Sequence, residues 1–316
     1  MANGKLNLLV KSVTDETPDI RLFDLRSPDG SQLPKFTAGA HIDLHLSNGL
    51  IRSYSIVNGE HDRSRYLIGV ARDKKSRGGS AYIHNTLMAG DGIYTSLPKN
   101  NFLLDENEHD NILIAGGIGI TPIMSMLHRL QFLGRRWDLY FATRSKHLTP
   151  FLRDLAKYSN AVKLHIDDEH NGCVLDIGKI VTPAKSGTHF YCCGPGPMLD
   201  SFQRAVVEIP QKYIHVEHFS PVERAATAGG FSIELAKSNR IILVTPGKTI
   251  LEALLEAGVE VPFSCQSGVC GSCETKVLSG LPDHRDLILT DSERNGNKTM
   301  MICCSGSKSE KLVLDL

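Results

Sequence analysis

Five of the eight cysteines lie in the last third of the chain, and four of them fall at unequal, specific intervals. Cys265, Cys270 and Cys273 give the pattern C-x4-C-x2-C, and 29 residues separate Cys273 from Cys303. Several thiolates from one tight loop, joined by a fourth from elsewhere in the domain, can hold an iron–sulfur cluster. Gly268 and Gly271 would let backbone N–H groups approach the sulfur atoms and tune the potential. The cysteines therefore predict a redox centre.

Zinc is the alternative metal, but structural zinc sites favour paired C-x2–4-C knuckles, and Cys303 has no such partner. The spacing is instead that of plant-type ferredoxins, which predicts a [2Fe-2S] cluster. Cys304 competes for the fourth position. Spacing favours Cys303, and the neighbour of a ligand on a strand should point the opposite way. A docking module that holds zinc remains the non-enzymatic alternative.

Two motifs in the first hundred residues suit a flavin. The first is the run Arg52-Ser53-Tyr54-Ser55, in which arginine can bind a phosphate, tyrosine offers a flat face and serine can reach the ring edge. The second is Gly78-Gly79-Ser80 before a helix-like segment, where a glycine pair at a helix amino end can bind an anion. Taken singly, they are equally compatible with an ordinary strand and an ordinary helix cap.

Two further glycine turns suit a nucleotide. Gly116-Gly117-Ile118-Gly119-Ile120-Thr121-Pro122 lies between a predicted strand and a predicted helix, where a pyrophosphate or a ribose would rest. It is not the G-x-G-x-x-G fingerprint. Cys193-Gly194-Pro195-Gly196-Pro197-Met198 is the second turn. Cys193 could touch a nicotinamide ring or could be a small buried residue.

The secondary structure that must position these motifs is predicted to differ between the first and the middle third of the chain. His41–Leu46 alternates as a half-buried strand should, Asn48-Gly49 predicts a hairpin with two residues at positive φ, and Tyr66–Val70 is another strand. Short strands separated by turns predict a small antiparallel barrel.

The middle third alternates strands with helices, which predicts a parallel α/β sheet. The predicted strands are Asn111–Ala115, Trp137–Thr143, Val162–Asp167 and His189–Cys193. Thr121 should cap the first helix, with Pro122 at its first position and Gly134 after its end, and a later helix should begin at about Met198.

The last third begins after a small, polar stretch at Ser220–Gly230. Phe231–Leu235 and Ile241–Val244 are predicted strands. Thr249 and Glu252 form a capping box for a helix that Gly258 ends.

Bulk composition limits the function classes. The 316 residues carry a formal net charge of zero and are 41% hydrophobic, so we expect two or three globular domains and no nucleic-acid or membrane partner. The amino-terminal apolar run is too short for a signal peptide, which favours a cytoplasmic protein.

The motifs together resemble one family. An antiparallel barrel with R-x-Y-S and GGS, followed by GGIGITP and CGPGPM, is the pattern of the ferredoxin–NADP reductase superfamily. With the carboxy-terminal cysteine pattern, the whole chain resembles the phthalate dioxygenase reductase family, which includes vanillate demethylase and carnitine monooxygenase reductases. His284-Arg285-Asp286 and the ending LVLDL share that resemblance.

The resemblance implies three domains: an FMN-binding barrel at 1–105, an NAD-binding α/β domain at 106–222 and, after a linker at 223–230, a β-grasp ferredoxin domain at 231–316. FMN would contact Arg52 to Ser55, Val70, Arg72, Gly78, Gly79, Ser80 and Thr121, with Phe219 over the ring or else packed in the core. NADH would contact Gly116, Gly117, Gly119, Thr121, Pro122, Thr143, Arg144, Cys193, Gly194, Pro195 and Met198. The family favours NADH, although Arg144 and Lys146 could also meet the extra phosphate of NADPH.

These cofactors make one chemical argument. A nicotinamide gives up two electrons together, a [2Fe-2S] cluster accepts one, and a flavin can mediate between them. No protein acid or base is obligatory. The resemblance implies a monomeric reductase that supplies a terminal Rieske-type oxygenase. A free-standing NAD(P)H:acceptor reductase and a reductase for a cytochrome P450 remain alternatives.

Overall fold

The first six strands form an antiparallel sheet that closes into a barrel. They are β1 (Lys5–Thr17), β2 (Ile20–Arg26), β3 (His41–His45), β4 (Ile51–Ser55), β5 (Tyr66–Ala71) and β6 (Gly92–Ser96). Their order is β4-β3-β6-β1-β2-β5, and a bridge between Ile56 and Ile68 joins the two edges. Helix α1 (Gly79–Thr86) lies between β5 and β6. The computed structural model describes residues 5–73, 78–107, 109–219 and 225–316.

Strand β3 was predicted to be half-buried, but both of its faces are buried. Ile42 and Leu44 enter the barrel core, but Asp43 on the opposite face is buried as well. Its carboxylate lies 2.9 Å from the Lys99 ammonium, so a charge partner offsets its desolvation. The β3–β4 hairpin is confirmed, with only Gly49 at positive φ.

The middle of the chain folds into a parallel sheet. Its strands are β7 (Asn111–Gly116), β8 (Trp137–Thr143), β9 (Val162–Ile166), β10 (His189–Cys193) and β11 (Ile214–Glu217). The helices are α2 (Ile120–Phe132), α3 (Leu152–Leu155), α4 (Gly178–Val181) and α5 (Gly196–Ala205). The strand order is β11-β10-β7-β8-β9. Alternation along β10 sends Cys192 and Cys193 into different apolar clusters.

Two helix starts differ from the prediction. Helix α2 begins at Ile120 after a short 3₁₀ turn at Gly117–Gly119, so Thr121 is not its cap. The Thr121 hydroxyl instead donates to the Ile118 carbonyl at 3.0 Å. Helix α5 begins at Gly196, two residues before the predicted start at Met198. In both cases a glycine turn leads straight into the helix.

The carboxy-terminal sheet has the order β13-β12-β18-β14-β16. Its strands are β12 (Phe231–Leu235), β13 (Arg240–Val244), β14 (Glu274–Ser279), β16 (Thr299–Met301) and β18 (Lys311–Leu314), and β15 (Pro282–Asp283) pairs with β17 (Gly306–Ser307). The helices are α6 (Ile250–Glu256) and α7 (Asp291–Gly296). The capping box of α6 is confirmed, since the Glu252 N–H donates to Thr249 Oγ1 and the Thr249 N–H donates to Glu252 Oε2.

The backbone divides into two compact units, residues 1–219 and residues 220–316. The barrel and the parallel sheet share the first unit, and the cysteine motif lies in the second. The boundary at 105/106 stays a prediction. Of the predicted linker 223–230, residues 223 and 224 lie outside the described residues, as do 220–222 of the polar stretch. Within the described ranges no helix is long and apolar enough to cross a membrane.

Candidate cofactor sites

The four predicted ligand cysteines converge in the second unit. Cys265, Cys270 and Cys273 come from the loop between α6 and β14, and Cys303 follows β16. All four are buried. The sulfur of Cys303 interacts with those of Cys265 and Cys273, and the sulfur of Cys265 also interacts with that of Cys270. Three thiols come from one loop and the fourth from a distant residue, and such a set of four donors fits a [2Fe-2S] cluster.

Backbone N–H groups point at these sulfur atoms. The Ser267 N–H donates to Cys265 Sγ at 3.3 Å, and the Cys265 N–H donates to Cys270 Sγ at 3.5 Å. The loop bends inward through Gln266, Gly268 and Gly271, which have φ of 52°, 70° and 71°. Hydrogen bonds shared among the four thiols lower the pKa of Cys270 and Cys303 and raise the pKa of Cys265 and Cys273. The N–H groups of Ser267 and Cys265 are the donors of this loop that a thiolate at Cys265 or Cys270 would keep.

Cys304 lies closer to this group than a strand neighbour would. Residues 302–304 form a turn, so the alternation expected of a strand does not apply. The Cys304 thiol approaches the Met301 carbonyl at 3.7 Å and interacts with Cys303. Cys303 remains the predicted fourth ligand because its sulfur is the one that interacts with Cys265 and Cys273.

The two nucleotide turns of the first unit pack directly against each other. A Cβ added at Gly119 would lie 2.2 Å from the Cys193 carbonyl oxygen, and one at Gly116 would lie 2.7 Å from Pro195 Cδ. One at Gly117 would meet nothing within 4 Å, so that side of the turn is open. The turns end β7 and β10, between which the strand order reverses direction. A dinucleotide binds at such a crevice.

Glu217 is a candidate functional residue that the motifs did not reveal. It pairs with Cys193 across the parallel strands β10 and β11. Its Oε2 is buried and has no hydrogen-bond partner among the described residues. Burial raises the pKa of Glu217 to about 8. Burial is also the main reason that the pKa of the Cys193 thiol is raised, and the nearby Glu217 carboxyl raises it further. The only sequence signal was a carboxyl on a half-buried strand, level with the CGPGPM turn.

Two predicted nucleotide contacts at the end of β8, Thr143 and Arg144, differ in their exposure. Thr143 is buried, and its hydroxyl lies 2.7 Å from that of Thr149, so it has a structural role. Arg144 is exposed at the same edge of the sheet as Gly116, because β7 and β8 are parallel neighbours. Pro122 is buried in the first turn of α2. Of Thr143, Arg144 and Pro122, only Arg144 has an exposed side chain.

The flavin motifs of the barrel meet at the start of α1. Gly78 precedes this eight-residue helix with a φ of 90°. A Cβ added at Gly79 would lie 2.6 Å from Arg52 Nε, so the arginine side chain passes directly over the helix start. A guanidinium beside helical N–H groups fits the phosphate of FMN.

Strand alternation places some of the other predicted flavin contacts on opposite faces of the barrel sheet. The Ser53 hydroxyl donates to Asp43 at 2.6 Å, on the face of β4 opposite to Arg52 and Tyr54. The Val70 side chain is buried in the barrel core, and its contact with FMN stays a prediction. Arg72 is exposed and donates to Asn85 at 2.8 Å. The remaining predicted contacts of β4 and α1 are Tyr54, Ser55 and Ser80.

The barrel and the nucleotide turn touch at Gly69. A Cβ there would lie 2.9 Å from Thr121 Cγ2, which places β5 against the GGIGITP turn. Phe219, at the end of the first unit, is 39% exposed. An aromatic ring left open to solvent could cover a flavin rather than fill the core.

Comparisons with known proteins agree with this arrangement. A family model described as "2Fe-2S iron-sulfur cluster binding domain" matches residues 233–307, and "Oxidoreductase NAD-binding domain" matches residues 113–204. Phenoxybenzoate dioxygenase subunit beta of Ectopseudomonas oleovorans is 49% identical over 98% of this chain and 97% of its own length.

Solved structures also match along nearly the whole chain. Phthalate dioxygenase reductase, described as a modular structure for electron transfer from pyridine nucleotides to [2Fe-2S], is 38% identical, with a TM-score of 0.76 over 99% of this chain and 98% of that one. An intact type IV self-sufficient cytochrome P450 monooxygenase is 36% identical, with a TM-score of 0.89 over 99% of this chain and 41% of that one. The chain therefore belongs to the phthalate dioxygenase reductase family, as an NADH-dependent oxidoreductase with FMN and a [2Fe-2S] cluster.

Proposed function

We propose that this chain passes electrons from NADH, through FMN and the [2Fe-2S] cluster, to a terminal oxygenase of the Rieske type. The observation that carries the proposal is the packing of the barrel strand at Gly69 against the nucleotide turn at Thr121, in a chain whose other unit gathers four thiols. When bound, FMN accepts an electron pair from NADH and releases single electrons to the cluster.

The residues of this chain bind and orient the cofactors. Arg52 and the start of α1 hold the FMN phosphate, and Phe219 covers the ring. The glycine turns at Gly116 and Gly194 present backbone N–H groups to the nucleotide, with Arg144 at the same edge of the sheet. The four cysteines hold the cluster.

Cys193 and Glu217 keep the base of the nucleotide crevice uncharged. Burial raises the pKa of both groups, so the thiol and the carboxyl keep their protons at neutral pH. Because the bottom of the crevice is uncharged, it disfavours water and gives the nicotinamide an apolar environment. The protein works as a monomer in the cytoplasm, where reducing conditions keep the ligand thiols available.

An anaerobic titration with NADH, followed by visible and EPR spectra, tests this proposal. We expect flavin bleaching together with a reduced-cluster signal. Flavin bleaching without that signal would exclude the relay, and a colourless protein that contains zinc would favour the docking module. Reconstitution with a candidate Rieske-type oxygenase should couple NADH consumption to product formation.

A cytochrome P450 is the second candidate acceptor. The observation that favours it is the match to 41% of a self-sufficient P450 monooxygenase. Parallel reconstitution with a P450 and with a Rieske oxygenase separates the two. Faster cluster reoxidation by the P450 would contradict the Rieske proposal.

A further inference from the structure

A group of aromatic rings gathers at the amino ends of β7 and β10, far from the glycine turns. The rings of His109 and His189 stack with centroids 3.8 Å apart and planes 6° apart. Asp105 Oδ1 lies 3.2 Å from His109 Nε2. One ligand atom from each of these three residues lies within 4.8 Å of the others. Imidazole nitrogen and carboxylate oxygen together suit a divalent transition-metal ion.

The His109 ring has no hydrogen-bond partner within the described ranges. Both of its ring nitrogens are buried, although its side chain keeps 13% of its surface exposed. The approach of Asp105 is close, but it does not have the geometry of a hydrogen bond. A buried polar atom without a partner is destabilising, because it has lost its hydrogen bonds to water and gained none in the fold. His109 is therefore the member of the group that gains most from a ligand.

The other two residues are held in place. Asp105 Oδ1 accepts from the Asn107 N–H at 3.0 Å and from its side-chain amide at 2.7 Å. His189 Nδ1 lies 3.0 Å from His215 Nε2, which leaves His189 Nε2 on the side of Asp105, 4.0 Å from Oδ2. A histidine ligand is commonly oriented by such a contact through its second nitrogen.

We propose that Asp105, His109 and His189 form a metal site that is separate from the redox cofactors and takes a divalent transition ion such as Zn²⁺. Bonds of about 2.0–2.1 Å in tetrahedral geometry require ligand atoms roughly 3.3 Å apart, closer than the present spread. His109 turns out of its parallel stack to close this distance, which the lack of hydrogen bonds to its ring permits.

The ion clamps the segment before β7 to the neighbouring strand β10. His189 and Cys193 are four residues apart on that strand, or about 13 Å at a rise of roughly 3.3 Å per residue. The ion therefore lies outside the electron path and acts on the structure. The proposal does not depend on the identity of the acceptor.

Equilibrium dialysis of the holoprotein against buffered Zn²⁺ tests the site, with Cys173→Ser in every sample to remove the exposed thiol. We expect one tight equivalent, and at least tenfold weaker binding in both H109Q and D105N. H165Q is the matched control, because His165 also stacks on a histidine, His170, at 4.2 Å.

Unchanged binding in H109Q or in D105N would overturn the proposal, as would an equal loss in H165Q. The absence of a tight equivalent in the parent would overturn it as well. H109Q removes a ring without hydrogen bonds, so we expect it to fold. The ratio of flavin to protein verifies this in each variant.

Discussion

Replacement of Gly119 by alanine should damage nucleotide use without removing FMN or the cluster. The added Cβ would lie 2.2 Å from the Cys193 carbonyl oxygen, 2.5 Å from its carbon and 2.8 Å from the Gly194 nitrogen. All three atoms belong to backbone, so no side chain can swing away. The two glycine turns must therefore separate.

The size of the effect follows from the geometry. Ordinary van der Waals contact begins near 3.4 Å, so relief of the 2.2 Å contact requires a shift of about 1.2 Å. A misplacement of about 1 Å at a positioning site can cost roughly a hundredfold in rate. Overpacking also destabilises a core by about 1–3 kcal/mol. We expect kcat/KM for NADH to fall by about two orders of magnitude.

NADH-dependent reduction of ferricyanide measures this directly. Gly196→Ala is the matched control, because a Cβ there meets nothing within 4 Å and φ is not positive. Gly196 opens α5, where alanine suits a helix better than glycine. The control should keep the parent kcat/KM, and both variants should retain FMN and iron.

Parental kinetics in Gly119→Ala would refute the reasoning, since it would mean that the turns can separate without effect on the nucleotide. An equal loss in Gly196→Ala would also refute it, because the defect would then follow from any alanine in this region rather than from the clash.

Three further predictions concern the other sites. C303S should lose most of its iron and acid-labile sulfide, whereas C304S should keep both, as iron and sulfide assays can verify; loss in both variants would contradict the assignment. Arg52→Ala should weaken FMN retention by about tenfold or more, since a charged hydrogen bond contributes about 1.5–3 kcal/mol, and fluorescence of released flavin measures it. Burial raises the pKa of Glu217 from 4.5 to about 8, so the folded protein keeps a proton that the unfolded chain loses, and stability falls as pH rises across that window. Glu217→Gln should flatten this decline in thermal unfolding of the first unit, and an unchanged slope would show that the carboxyl is ionised.

The strands were predicted well because their pattern is local. Trp137–Thr143 and His189–Cys193 match the structure at both ends, since each is a run of mainly apolar residues between polar turns. The predicted cap of α2 was wrong, because Gly119 rather than Thr121 precedes its first turn, and α5 begins after Pro195, two residues before the predicted start at about Met198. Thr121 has the chemistry of a cap, but its hydroxyl finds the Ile118 carbonyl first.

The site residues that sequence reasoning missed depend on contacts between distant segments. Glu217 matters because β11 lies beside β10 in the sheet, and no spacing in the chain announces that pairing. The same holds for His109 and His189, which are 80 positions apart and meet only because β7 and β10 are neighbours. The cluster cysteines were found because three of the four are local.

Cysteine shows how neighbours set the role of a residue type in this chain. Cys193 lies in the apolar core of the parallel sheet, where burial raises its pKa and keeps the thiol protonated. Cys270 is also buried, but hydrogen bonds from the Cys265 thiol and from nearby N–H groups lower its pKa. Burial alone therefore does not decide the role of a cysteine. In the Cys265–Cys273 loop, backbone N–H groups of Ser267 and Cys265 donate to sulfur atoms, and the left-handed residues at 266, 268 and 271 supply the bends that aim them.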